Sequence, residues 1–180
     1  DAPLGAKGKP PKLKKQEFVL FARPVAGRPG ELQLAGPGAQ LPYSTGLEAR
    51  LRPVLAALLA ADAPPRVTGV RDVLSSEGNL AGESETQVFL VTASGEPAAL
   101  TVVRRPGMAP RWGVSWSELV DQSAEAPQRD TPAWYRLACA LPPTLPERAH
   151  VAEDPAGRAR AAQDYRFVLE QLGPCARNLK

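Results

Sequence analysis

The sequence predicts an α+β fold: an antiparallel sheet, built from an N-terminal hairpin and a four-strand meander, packed on a kinked helix and followed by two C-terminal helices. Three observations carry this reading. Leu47, Leu51, Val54, Leu55, Leu58 and Leu59 recur at helical spacing along one face. Residues 66–120 then switch to period two and to β-branched side chains. Two segments that open on proline and carry apolar stripes close the chain. A helix laid across an antiparallel sheet buries the apolar faces of both, which makes α+β the economical packing.

In chain order, residues 1–15 read as a flexible, Lys-rich arm with almost nothing to bury. Phe18-Val19-Leu20-Phe21 is a short apolar run, consistent with a buried strand, and residues 31–35 are its expected hairpin partner. Gly36-Pro37-Gly38 is expected to end that pairing. Thr45 and Glu48 have capping-box spacing at the head of the leucine-striped helix, and Pro53 inside it predicts a kink. Four strands follow at about 66–74, 85–93, 98–105 and 111–120, joined by short turns that make an antiparallel meander. Val88-Phe89-Leu90-Val91 is apolar on both faces and reads as a central strand. Thr131-Pro132 and Asp154-Pro155 each supply a cap and a first-turn proline for the last two helices. Gly173-Pro174 ends the second of them, whose inner stripe reads Ala162, Tyr165, Val168, Leu169 and Leu172.

A length of 180 residues fits one domain, so residues 16–180 are expected to form a single α+β domain behind the arm. Apolar residues at 43% and charged residues at 23% are a normal globular balance, while 20 prolines and 15 glycines predict many loops. The formal charge of +3 is unevenly spread. Five lysines against Asp1 give the first fifteen residues +4, so the remainder carries −1. The basic pI describes a tail, which argues against a nucleic-acid-binding domain surface.

Cys139 and Cys175 are the two cysteines, both near predicted helix ends, and are expected to form a disulfide. Asp1-Ala2-Pro3-Leu4-Gly5 reads as an end left by signal-peptide removal. Together these features predict a periplasmic or extracellular location. No apolar run approaches the length of a transmembrane span, so no transmembrane segment is expected.

The chemistry-bearing inventory is thin. One histidine, His150, and two distant cysteines do not make a zinc site, and no calcium-loop pattern exists. No G-x-S-x-G elbow exposes a serine, and Gly36-Pro37-Gly38 lacks the lysine and the strand–helix context of a phosphate loop. No catalytic residue, metal or cofactor is therefore assigned. A carboxylate-dependent hydrolase or lyase using Glu83, Glu85, Glu118 and Asp121 is the alternative, with an apolar-ligand carrier beside it.

Two candidate binding features remain. Arg104, Arg105 and Arg111 flank Trp112 and Trp116, which form either an exposed aromatic and cationic surface or the inner face of a strand covered by the 47–59 helix. Lys7, Lys9, Lys12, Lys14 and Lys15 are a candidate arm for an anionic surface or polyanion. The expected function is that of an exported, non-enzymatic binding or assembly protein of the cell envelope, its partner another envelope or extracellular protein. The sheet edges are a further candidate for accepting a partner strand.

Overall fold

The computed structural model describes residues 14–117, 123–151 and 154–175. Contacts group the described residues into two compact units, one up to residue 56 and one from residue 57 onward.

The first unit is a broken β-ribbon followed by a helix. Strand β1 (Phe18–Leu20) pairs antiparallel with β4 (Gln40–Pro42), and β2 (Ala22–Pro24) pairs with β3 (Leu32–Leu34). Phe21 carries the ribbon across the break, since its N–H donates to the Ala39 carbonyl and its carbonyl accepts from Ala35. The pairing of residues 31–35 with the 18–21 run is thus corrected. Those residues face 22–24, and the partner of 18–20 lies beyond Gly36-Pro37-Gly38. That tripeptide loops out and lets pairing resume instead of ending it, with Gly38 at φ +76°. The buried strand expected at Phe18–Phe21 is also corrected: its residues are half-buried or, at Leu20, exposed, because a two-stranded ribbon has too little surface to cover both its faces.

Helix α1 (Thr45–Leu59) runs through Pro53. Its cap lies one residue earlier than the capping box predicts. Ser44 Oγ accepts from Leu47 N–H at 3.1 Å, leaving Glu48 to accept from the Tyr43 hydroxyl at 2.7 Å and to pair with Arg52. No residue of α1 is buried.

The second unit holds the meander and its helical cover. Strands β5 (Val67–Glu77), β6 (Ser84–Thr92), β7 (Ala99–Arg104) and β8 (Arg111–Ser115) form one antiparallel sheet in sequence order, with β6 and β7 central. Register shifts between Val67 and Gly69, and between Val70 and Asp72, mark bulges in β5. They absorb extra residues, so Val67, Val70 and Val73 are all buried despite their spacing of three. The core face continues through Val88 and Leu90, then Leu100 and Val102, with Val114 opposite Leu100 and Trp112 opposite Val102.

Helices α2 (Pro132–Ala138) and α3 (Pro155–Leu172) contribute Trp134, Leu137, Ala161, Tyr165, Val168 and Leu172 to the same core. The cover expected of the 47–59 helix is therefore supplied from the C-terminal third. Caps form at the predicted residues: Thr131 accepts from Trp134 N–H, and Asp154 accepts from Gly157 N–H. Gly173, at φ +69°, closes α3 onto the Leu169 carbonyl. Trp134 Nε1 donates to the Leu172 carbonyl at 3.0 Å, and the Cys139–Cys175 disulfide joins the chain just beyond the two helix ends.

Loops returning to the sheet engage both of its outer strands. Val151 N–H donates to the Val73 carbonyl beside a parallel bridge from His150, and Val114 N–H donates to the Glu125 carbonyl. The expectation of sheet edges open to a partner strand is corrected at these two positions, which the chain's own backbone occupies.

Candidate functional site

The five predicted residues around the β7–β8 turn do not form one patch. Side chains alternate along a strand, so Arg111 and Trp112 project to opposite faces. Trp112 and Trp116 are half-buried and pack against the core. Arg105 and Arg111 are exposed and line, with Val103, Met108 and Ala109, a cleft of 40 Å³. That is little more than the space of one water molecule, too small for an organic ligand.

Arg104 points to the core side and has a partner that the sequence reading missed. Its Nε donates to Asp164 Oδ1 at 2.6 Å, and Asp164 on α3 is 1% exposed. Thr86 Oγ1 lies 2.5 Å from Asp164 Oδ2 and 2.9 Å from Ser75 Oγ. A threonine has one hydroxyl proton; it goes to the carboxylate, and Ser75 then donates to Thr86. The resulting chain Ser75–Thr86–Asp164–Arg104 ties β5, β6, β7 and α3 together. It contains no imidazole. His150 lies instead at the outer edge of β5, in the bridge to Val73.

Two carboxylates of the hydrolase reading do come together, each already engaged. Glu83 and Glu85 line an open cleft of 280 Å³ with Glu77 and Arg105. Glu77 pairs with Arg160 at 2.5 Å, Glu83 accepts from Leu80 N–H, and Glu85 accepts from Gln87. Glu118 and Asp121 lie outside the described residues. Among the described residues no group of three or more His, Cys, Asp or Glu side chains could hold a metal ion.

A second open cleft, of 350 Å³, lies between the start of β5 and α2. Arg66, Val67 and Thr68 line one side, and Tyr135, Arg136, Cys139 and Ala140 the other. Neither the Arg66 nor the Arg136 side chain has a hydrogen-bonding or ion-pair partner among the described residues, and Arg136 Nε is buried without an acceptor. Sequence reading missed this pairing because the two arginines are 70 positions apart and meet only through the fold.

Displaced titrations occur elsewhere. The hydrogen bond from Tyr43 to Glu48, then their mutual charge effect, raises the phenol. The same bond, then Arg52, holds the Glu48 carboxyl below its ordinary range. Burial raises Tyr165, whose hydroxyl donates to the Pro142 carbonyl at 2.7 Å. None of the three lines the clefts described above.

Of the lysine arm, Lys7, Lys9 and Lys12 lie outside the described residues, and Lys14 and Lys15 are exposed. Among the described residues no helix is long and apolar enough to cross a membrane. Comparison of the chain with protein-family models, with curated proteins and with solved structures gives no match.

Proposed function

We propose that this chain is a non-enzymatic binding and assembly protein of an oxidising compartment, the cell envelope or the exterior, acting through protein–protein contacts. One observation carries the reading. Helix α1 has the apolar stripe of a core helix, yet no residue of it is fully buried: Leu47 and Leu51 are half-buried, Val54, Leu55 and Leu58 are exposed and Leu59 is 84% exposed. An isolated helix of this length is marginal in water, and most helical stability comes from covering an apolar face. The ribbon preceding it has Ala39 as the one buried apolar residue among positions 14–56, so that segment also lacks a core of its own. A partner protein that covers this stripe gains apolar burial and supplies the missing packing.

The Cys139–Cys175 bond supports the oxidising location, where such a crosslink persists. The lysine arm would add positive charge and so favour an acidic partner.

The test places a photo-crosslinking residue at Leu58, and separately at exposed Glu170 on α3, in the producing cell. The reading expects a discrete adduct from position 58 alone, lost when Leu51 and Leu55 are both changed to Asp. Equal yields from the two positions, or none from either, would count against it.

A further inference from the structure

The 350 Å³ cleft between β5 and α2 has the composition of an anion site. We propose that Arg66 and Arg136 bind a carboxylate or phosphate group there, carried on a small apolar body. This site is independent of the α1 surface.

Several arginines of the fold are matched to acids: Arg28 with Glu31, Arg52 with Glu48, Arg71 with Asp72, Arg104 with Asp164, Arg160 with Glu77. Arg66 and Arg136 are not, and no carboxylate among the described residues lines their cleft. Arg136 also keeps a buried Nε with no acceptor, so its guanidinium charge is under-compensated until an anion arrives. Two such forks facing one space suit the planar, bidentate recognition of carboxylate and phosphate oxygens.

The remaining walls set what else the ligand carries. Thr68 spends its hydroxyl proton on the Val91 carbonyl, and the Tyr135 hydroxyl faces Asp130 at 3.4 Å, so charge recognition falls to the arginines. Val67, Ala140 and the Tyr135 ring offer apolar surface. The volume is within the range of small-molecule sites. Cys139 lines the cleft one helical turn after Arg136, so the disulfide holds that end of α2 in place. A free small-molecule anion and the terminal carboxylate of a peptide share this chemistry.

Amide and arginine side-chain NMR shifts of the full chain would be followed during titration with inorganic phosphate, with citrate, and with a short apolar peptide bearing a free or an amidated C-terminus. The expected result is saturable shifts centred on Thr68, Tyr135 and Ala140, weakened about tenfold or more by Arg66→Gln or Arg136→Gln. Arg105→Gln, on the other exposed basic cluster, should leave the affinity unchanged. Arg66 is exposed and outside the core, so its variant tests the site without threatening the fold. Saturation by phosphate or citrate assigns a free anion, and saturation by the acid peptide alone assigns a chain terminus. Shifts that never saturate, equal binding of the amidated peptide, or an equal loss with Arg105→Gln would overturn the proposal.

Discussion

Asp164 and Arg104 meet across the interface between α3 and the sheet, the arginine Nε 2.6 Å from a carboxylate that is almost wholly buried. Apolar packing alone lets a helix slide along a sheet at little cost. A buried charge is satisfied at one registration only, because desolvating a carboxylate without partners is far more costly than any gain from a shifted contact. Thr86 and Ser75 complete that registration on the two neighbouring strands.

Removing the acid should therefore be worse than removing both charges. Asp164→Ala is expected to destabilise by about 3 kcal/mol, since it leaves Arg104 and Thr86 facing a cavity. The double variant Asp164→Leu with Arg104→Met should recover much of that loss. Urea unfolding monitored by tryptophan fluorescence checks both. A single variant within about 0.5 kcal/mol of wild type would show that the network carries no weight.

The Cys139–Cys175 bond closes a loop of 36 positions around α2 and α3. In the chain-entropy model such a crosslink contributes about 4 kcal/mol by restricting the unfolded chain. Thiol titration of the unfolded protein should find no free thiol before reduction and two after. Cys139→Ser with Cys175→Ser should lower the unfolding midpoint accordingly. Since Cys139 lines the Arg66/Arg136 cleft, the same variant should loosen anion binding before the protein unfolds.

What was legible in the sequence is local. The four meander strands, the caps at Thr131 and Asp154, the stop at Gly173 and the disulfide all follow from spacing and residue type within a few positions. Features set by distant partners were not. A charged residue on a helix reads as outward, so the expected inner stripe of α3 (Ala162, Tyr165, Val168, Leu169 and Leu172) holds Tyr165, Val168 and Leu172 correctly but leaves out Asp164, whose partner is 60 positions away. The β5 bulges shift a two-residue period to three with only Gly69 as a local mark. Gly36-Pro37-Gly38 has the composition of a terminator and acts as an excursion, a distinction that depends on residues 40–42 finding 18–20. The α1 stripe is legible as apolar, while the exposure of Val54, Leu55, Leu58 and Leu59 is not written in their spacing.

The Tyr43–Glu48 bond should give the start of α1 a pH window. Glu48 is depressed from 4.5, so its contribution is present above that value and lost as pH falls through the folded pKa. Tyr43 is raised from 10.0, so its contribution is present below that value and lost as pH rises through the folded pKa. NMR titration of labelled tyrosine should find Tyr43 ionising above 10.0, and Glu48→Ala should return it toward that value. An unchanged Tyr43 titration in the variant would mean that the hydrogen bond does not persist in solution.

Gly113 on β8 has a packing role that its neighbours' burial explains. It lies on the face opposite Trp112, where the 124–125 segment crosses the strand, and a Cβ there would fall on the Ala124 backbone carbonyl. Backbone cannot rotate away as a side-chain tip can, so the segment must lift and the bond from Val114 N–H to Glu125 must lengthen. Gly113→Ala should cost about 2 kcal/mol, within the range of overpacked sites. Gly69, also in the sheet, is the internal control: nothing lies within 4 Å of its would-be Cβ, and its backbone is not in the left-handed region. Gly69→Ala should be neutral or stabilise by about 0.5 kcal/mol through the unfolded state. Amide hydrogen exchange separates the cases, with Val114 losing protection in the Gly113 variant alone. Equal stability of the two variants would show that the 124–125 segment does not hold its place on β8.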